Sequence, residues 1–121
     1  MNEQRLALVV DDHYTNRLLA STLLKRLGWT VLEASDGLSA LAASRSNSLR
    51  LILLDISMPG LSGEETCRQL RAGHDDTPLK IIAYTAHAFA EDRQRLLAGG
   101  FDDVLVKPIN RQQLEAMVAD L

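Results

Sequence analysis

Hydrophobic positions along this chain follow two alternating rhythms. Short runs dominated by aliphatics occur at Leu6-Ala7-Leu8-Val9-Val10, Thr30-Val31-Leu32-Glu33-Ala34, Leu51-Ile52-Leu53-Leu54, Leu79-Lys80-Ile81-Ile82-Ala83-Tyr84 and Asp103-Val104-Leu105-Val106. Runs of that length with little polar alternation suit strands buried on both faces of a parallel sheet. Between them apolar residues return at helical spacing: Leu18, Leu19, Thr22, Leu23 and Leu27; then Leu38, Leu41 and Ala42; then Cys67, Leu70 and Ala72; and, after the last run, Leu114, Met117, Val118 and Leu121. A further helix is predicted from about Ala88 to Ala98.

Turn and cap residues stand where this reading needs them. Gly28 follows the first helix, as a C′ glycine should, and Asp36-Gly37 breaks the chain before the second, which fades into Ser44-Arg45-Ser46-Asn47-Ser48. Pro59-Gly60 forbids continuation of the third strand, and Glu64 and Glu65 favour a helix start through its dipole. Gly73 and His74-Asp75-Asp76-Thr77-Pro78 end that helix, Gly99-Gly100 closes the next, and Asn110 can cap the last. Five strand-helix units in strict alternation predict an α/β fold: a five-stranded parallel sheet, doubly wound as (βα)5, with right-handed crossovers. The flavodoxin-like strand order 2-1-3-4-5 is the natural candidate, with strands 1 and 3 adjacent at the switch point.

Composition narrows the class without changing it. A chain of 121 residues with 46% hydrophobic and 24% charged content fits one soluble domain, so residues 1–121 are expected to form a single unit. A formal charge of -3 and scattered basic residues give no reason to expect direct nucleic-acid contact. One cysteine, Cys67, excludes an internal disulfide, and with no Cys or His at metal spacing it reads as a helix-face packing residue. No apolar segment approaches the roughly 20 residues needed to cross a bilayer, and no leader pattern opens the chain, so the expected location is cytoplasmic. Met1 lies close to the first strand and suggests a natural amino terminus, whereas the carboxyl end falls on a helical pattern after which an output region could have followed.

The candidate chemistry lies at the strand ends. Leu51-Ile52-Leu53-Leu54 stops on Asp55, and a carboxylate there could be a nucleophile, a metal ligand or a helix cap. Strand 1 ends on Asp11 and Asp12, strand 4 on Thr85 and strand 5 on Lys107, and in a parallel sheet these ends share one edge. Three acids brought together repel, and a hard divalent cation relieves that repulsion. Magnesium takes one or two carboxylates, keeps waters and completes its octahedron with phosphate oxygens. Carboxylates form aspartyl-phosphates, and the transferring group needs charge neutralisation on three oxygens, which the cation, Lys107 and a hydroxyl with backbone N–H groups can supply.

Val9-Val10-Asp11-Asp12, Leu54-Asp55-Ile56-Ser57-Met58-Pro59-Gly60, Tyr84-Thr85-Ala86 and Val106-Lys107-Pro108 together resemble the receiver domain of two-component response regulators, over essentially the whole chain. The resemblance implies that Asp55 is the phosphoacceptor, and that Mg2+, or Mn2+ in its place, is held by Asp12 directly, by Asp11 largely through water, by Asp55 and by the Ser57 carbonyl. It implies phosphoryl contacts from Thr85 and Lys107, a cis peptide before Pro108, and a histidine kinase or histidine phosphotransfer domain as donor. A downstream output domain or protein and a phosphorylation-dependent dimer belong to the same expectation. Thr85-Ala86-His87-Ala88 and the stretch from Gly100 to Ile109 look most like receivers joined to hybrid sensor kinases. One departure is Val104, where many receivers have the aromatic that turns inward on activation. Either Thr85 and backbone shifts carry the signal alone, or Tyr84 or Phe101 substitutes.

Plainer readings stay open beside these. Asp11 and Asp12 could cap the first helix, Thr85 could be an ordinary strand residue, and Lys107 a solvated strand-end lysine. His87 reads first as a surface residue; with Ser57 it is also a candidate for tuning water access to the pocket. Trp29 is ambiguous between packing and an exposed contact. A flavodoxin would want backbone donors after strand 1 where Asp11 and Asp12 stand. A haloacid dehalogenase-type phosphatase would want a second acid where Ser57 stands. The expectation is a switch and not an enzyme with a diffusible substrate.

Overall fold

The computed structural model describes residues 5–74, 78–86 and 89–121. Its elements are β1 (Leu6–Val10), α1 (Tyr14–Arg26), β2 (Thr30–Ala34), α2 (Gly37–Ser46), β3 (Leu51–Asp55), α3 (Gly63–Gly73), β4 (Lys80–Thr85), α4 (Ala90–Ala98), β5 (Asp103–Val106) and α5 (Arg111–Val118). The strands form one sheet in the order β2-β1-β3-β4-β5. Every pairing is parallel, as the doubly wound reading requires.

Alternate side chains of each strand feed two cores. Leu8, Val10, Ile52, Leu54, Ile81, Ala83 and Val104 meet Ala40, Leu41, Cys67, Leu70 and Leu96 of α2, α3 and α4. On the other face Ala7, Val9, Leu51, Leu53, Ile82, Tyr84 and Leu105 meet Ala20, Leu24, Leu114 and Val118 of α1 and α5. Burial on both sides is what made the strands read as aliphatic runs. Helix starts are fixed by side-chain caps: Asp36 accepts from Ser39 N–H (2.7 Å), Ser62 from Glu65 N–H (3.1 Å) and Asn110 from Gln113 N–H (3.0 Å). Gly28, with φ 96°, follows the Leu27 C-cap of α1 in the left-handed conformation that a C′ residue needs.

Several local expectations need correction. Leu18, Leu19 and Leu38 are exposed; α1 faces inward with Ala20, Ser21 and Leu24, the expected Leu23 and Leu27 packing at the margin, and α2 keeps the expected Leu41 inward beside Ala40 and Ser44. Small residues such as Ala20 and Ala40 on these faces allow close approach to the sheet, and Leu18, Leu19 and Leu38 are left outside. α2 runs through Ser44, whose hydroxyl donates to the Leu41 carbonyl (2.8 Å). Helix α4 begins at Ala90; Ala88 lies outside the described residues. Neither Asp11 nor Asp12 caps α1, because His13 occupies that position without a side-chain capping bond. Trp29 is buried, which settles it as packing, and burial pushes the Cys67 thiol up to about 11, consistent with an inert packing residue.

Gly63 opens α3 hard against the end of β3. A Cβ there would lie 2.3 Å from the Asp55 carbonyl oxygen and 2.7 Å from the Ile56 Cα, both backbone atoms that cannot swing aside. Gly63→Ala is therefore expected to destabilise the domain by about 1–3 kcal/mol, the usual range for overpacking, which chemical denaturation would measure. Unchanged stability would show that α3 is free to retreat from the strand end.

Candidate functional site

The sheet register sets the carboxyl ends of β1, β3, β4 and β5 side by side. Val10 pairs with Leu54, Asp55 with Tyr84 and Thr85 with Val106. Asp11 continues β1 by one rung, its N–H donating to the Ala34 carbonyl of β2 (3.1 Å). At the other side of the site the Lys107 N–H donates to the Thr85 carbonyl (2.7 Å), so the chain beyond β5 is tied to the last residue of β4. The Lys107–Pro108 peptide is cis.

These constraints converge on one small cluster. Asp11 is wholly buried, with Oδ1 accepting from the His13 N–H (2.8 Å) and Oδ2 3.0 Å from the Lys107 ammonium. Asp55 is nearly as buried; its Oδ1 accepts from the Ser57 N–H (3.1 Å) and lies 3.4 Å from the same ammonium. Lys107 thus sits between two acids from different strands, with its Nζ also 4.8 Å from the centre of the Tyr84 ring. Asp12 is partly exposed and its Oδ1 is 3.2 Å from His13 Nδ1. Thr85 is buried at the end of β4. The Ser57 side chain points outward enough to be exposed, and its backbone N–H is what touches Asp55. His87 lies outside the described residues.

Burying acids this way has an electrostatic cost. The Asp55 carboxyl is pushed up from its ordinary 3.8 to about 6, chiefly by burial and then by the charge of Asp11, while Lys107 and the Ser57 N–H pull it back. Burial and the two carboxylates also push the Tyr84 phenol up to about 12, which keeps the ring beneath Lys107 neutral.

The same cluster suits a hard divalent cation. Asp11 Oδ2 and Asp12 Oδ1 are buried and make no hydrogen bond, the Lys107 ammonium near the first and the His13 ring near the second lying outside hydrogen-bond geometry. One ligand atom from each of Asp11, Asp12, His13 and Asp55 lies within 4.8 Å of the others. Opposite corners of a magnesium octahedron are about 4.2 Å apart, so a shift of a few tenths of an ångström per side chain closes the set.

Two neighbours escaped the sequence reading. Arg17 donates to the Asp11 carbonyl (2.9 Å) and to Glu33 (3.1 Å), pinning the acidic turn from α1. His13 joins the acid cluster itself; its position directly after Asp11-Asp12 was the only sequence signal for it. Val104 is fully buried in the same core as Phe101 and Leu96, whereas Tyr84 belongs to the core on the opposite face. Phe101 therefore shares the Val104 environment and Tyr84 does not.

Comparison with known proteins gives a consistent result. A family model for the response regulator receiver domain matches residues 7–119. The sensor histidine kinase GacS of Pseudomonas protegens is 42% identical over 114 residues, which cover 92% of this chain but only 12% of that protein. The chain thus spans a small part of such relatives. Among solved structures, the receiver domain of sensor histidine kinase PA1611 from Pseudomonas aeruginosa PAO1, with magnesium coordinated in its active site cleft, matches with a TM-score of 0.85 at 30% identity, covering 98% of this chain and 97% of that one. A chain from the co-crystal structure of the Saccharomyces cerevisiae histidine phosphotransfer protein Ypd1 with the receiver domain of its downstream response regulator Ssk1 matches with a TM-score of 0.89 at 25% identity, covering 99% and 90%. No helix among the described residues is long and apolar enough to cross a membrane.

Proposed function

The chain belongs to the response regulator receiver domain family of two-component and phosphorelay signalling, and from that premise we propose that Asp55 is its phosphoacceptor. The carrying observation is the Lys107 ammonium held 3.0 Å from Asp11 and 3.4 Å from Asp55 at the mouth of the sheet. Residues 1–121 act as one receiver domain in this reading.

The donor is a phosphohistidine of a histidine kinase or a histidine phosphotransfer domain. An oxygen of the ionised Asp55 carboxylate attacks phosphorus, the P–N bond breaks, and its electron pair returns to the donor imidazole, which takes up a proton. Among the described residues, the Ser57 N–H and the Lys107 ammonium both approach Asp55 at Oδ1, so Oδ2 is assigned as the attacking oxygen. Lys107 moves its contact from the carboxylates to a phosphoryl oxygen, and the Thr85 hydroxyl takes another. Asp11, Asp12, Asp55 and the Ser57 carbonyl would hold Mg2+, for which Mn2+ can substitute. When bound, the cation neutralises the acid cluster and the charge of the incoming phosphoryl group.

The product is an acyl phosphate on the protein itself, so the domain is a switch and not a turnover enzyme, and slow hydrolysis resets it. The phosphoryl group shifts an existing equilibrium between two arrangements of the surface formed by β4, α4, β5 and α5, which is read by an output domain or protein, or by a second phosphorylated copy. The reading is of a domain working in the cytoplasm. Transfer from a phosphorylated histidine phosphotransfer domain, followed by loss of label from the donor, tests this reading. Transfer is expected with Mg2+ and is expected to fall to background when the cation is chelated. Transfer at the same rate in chelator would remove the acid cluster from the mechanism.

A further inference from the structure

His13 lies within the acid cluster without contributing to any role assigned so far. Its Nδ1 is 3.2 Å from Asp12 Oδ1 and 3.6 Å from Asp11 Oδ1. Adjacent corners of an octahedron around a cation with bonds near 2.1 Å are about 3.0 Å apart, so these spacings are those of neighbouring ligands, and a ring nitrogen of His13 belongs to the set confined within 4.8 Å. The imidazole is mostly exposed. The fully buried Asp11 also turns Oδ2 into the cluster, where it makes no hydrogen bond and faces the Lys107 ammonium at 3.0 Å.

Ligand type then decides which ion gains. Magnesium is hard, prefers oxygen and keeps its waters, so an imidazole beside it adds little. First-row transition dications bind sites of mixed nitrogen and oxygen donors with affinities that rise from Mn2+ to Cu2+, and imidazole suits the later members best, so Mn2+ sets the lower bound of the effect. We propose that His13 enters the coordination shell and gives this site a preference for imidazole-accepting transition dications, with Mn2+ as the representative ion, over Mg2+. The proposal rests on the reading that Asp11, Asp12 and Asp55 hold a dication, and adds to it a residue that sets which dication is chosen.

The test uses the full chain freed of metal and needs no phosphoryl donor. Mn2+ binding is followed by loss of the free-ion electron paramagnetic resonance signal, and Mg2+ binding by competition against it. His13→Ala is expected to weaken Mn2+ about tenfold, within the range for losing a metal-site side chain, and to change Mg2+ affinity less than twofold. Retained Mg2+ binding shows at the same time that the variant is folded. Pulsed resonance of the bound Mn2+ is expected to show coupling to an imidazole nitrogen in the wild type and none in the variant. Equal effects on both ions, or no nitrogen coupling, would overturn the role of His13 and leave the acid site standing. Failure of the wild type to bind either ion would overturn both.

Discussion

Asp55→Asn is expected to make the metal-free domain more stable near neutral pH, by about 2 kcal/mol and hence roughly 5–10 °C in Tm. Burial and the Asp11 charge raise the Asp55 carboxyl to about 6 in the folded chain, whereas in the unfolded chain it titrates near 3.8. Between those values the native state holds a proton that the unfolded state has lost, so rising pH favours unfolding. The associated stability is complete below pH 3.8, declines through that window and is gone once the folded carboxyl has ionised above 6. An amide cannot ionise and removes one of two buried carboxylates that share a single ammonium. Thermal melts of both proteins across the window would show the difference growing from acid to neutral pH. Saturating Mg2+ should stabilise the wild type at neutral pH and close most of the gap. A variant no more stable than wild type at neutral pH would mean that Asp55 carries no electrostatic strain.

Lys107→Ala acts in the opposite direction. The lysine side chain is largely buried against two acids that have almost no solvent contact, and its loss removes the ammonium that both carboxylates share. Removing one member of a buried charge cluster costs about 3–5 kcal/mol, and the deficit should shrink at acid pH, where Asp55 takes a proton instead. With Mg2+ present to restore folding, acetyl-phosphate uptake is expected to slow by roughly 100-fold or more, comparable to losing one donor to a developing anion. Lys107→Arg should keep much of the stability and recover less of the rate, because the planar guanidinium places its charge differently. Uptake within a few-fold of wild type in Lys107→Ala would rule the lysine out of phosphoryl contact.

How much of this was legible in the sequence depends on how many partners each residue has. The strands were, because both faces of a parallel sheet are buried and the chain records it as unbroken aliphatics, as in Leu51 to Leu54. Their carboxyl ends then followed from topology, which is why Asp11, Asp12, Asp55, Thr85 and Lys107 could be collected before any coordinates. The faces of α3 and α5 were legible too, with Cys67, Leu70, Leu114 and Val118 buried, but those of α1 and α2 only in part, because leucine favours helix wherever it points: Leu18, Leu19 and Leu38 sit in solvent while Ala20, Ser21, Ala40 and Ser44 face inward. Nor could the sequence show that Lys107 bridges Asp11 and Asp55, which depends on a distance across the fold, or that Arg17 pins the acidic turn and His13 turns back toward Asp12, which depend on side-chain rotamers.

The central claim is that one carboxylate, Asp55, takes the phosphoryl group in a site assembled for a divalent cation. Intact-mass spectrometry after incubation with acetyl phosphate and Mg2+, wild type beside Asp55→Asn, tests it most directly. The predicted result is a gain of one phosphoryl group in the wild type, none in the variant, and none in either protein when the cation is chelated. A phosphoryl group gained equally by Asp55→Asn would contradict the account.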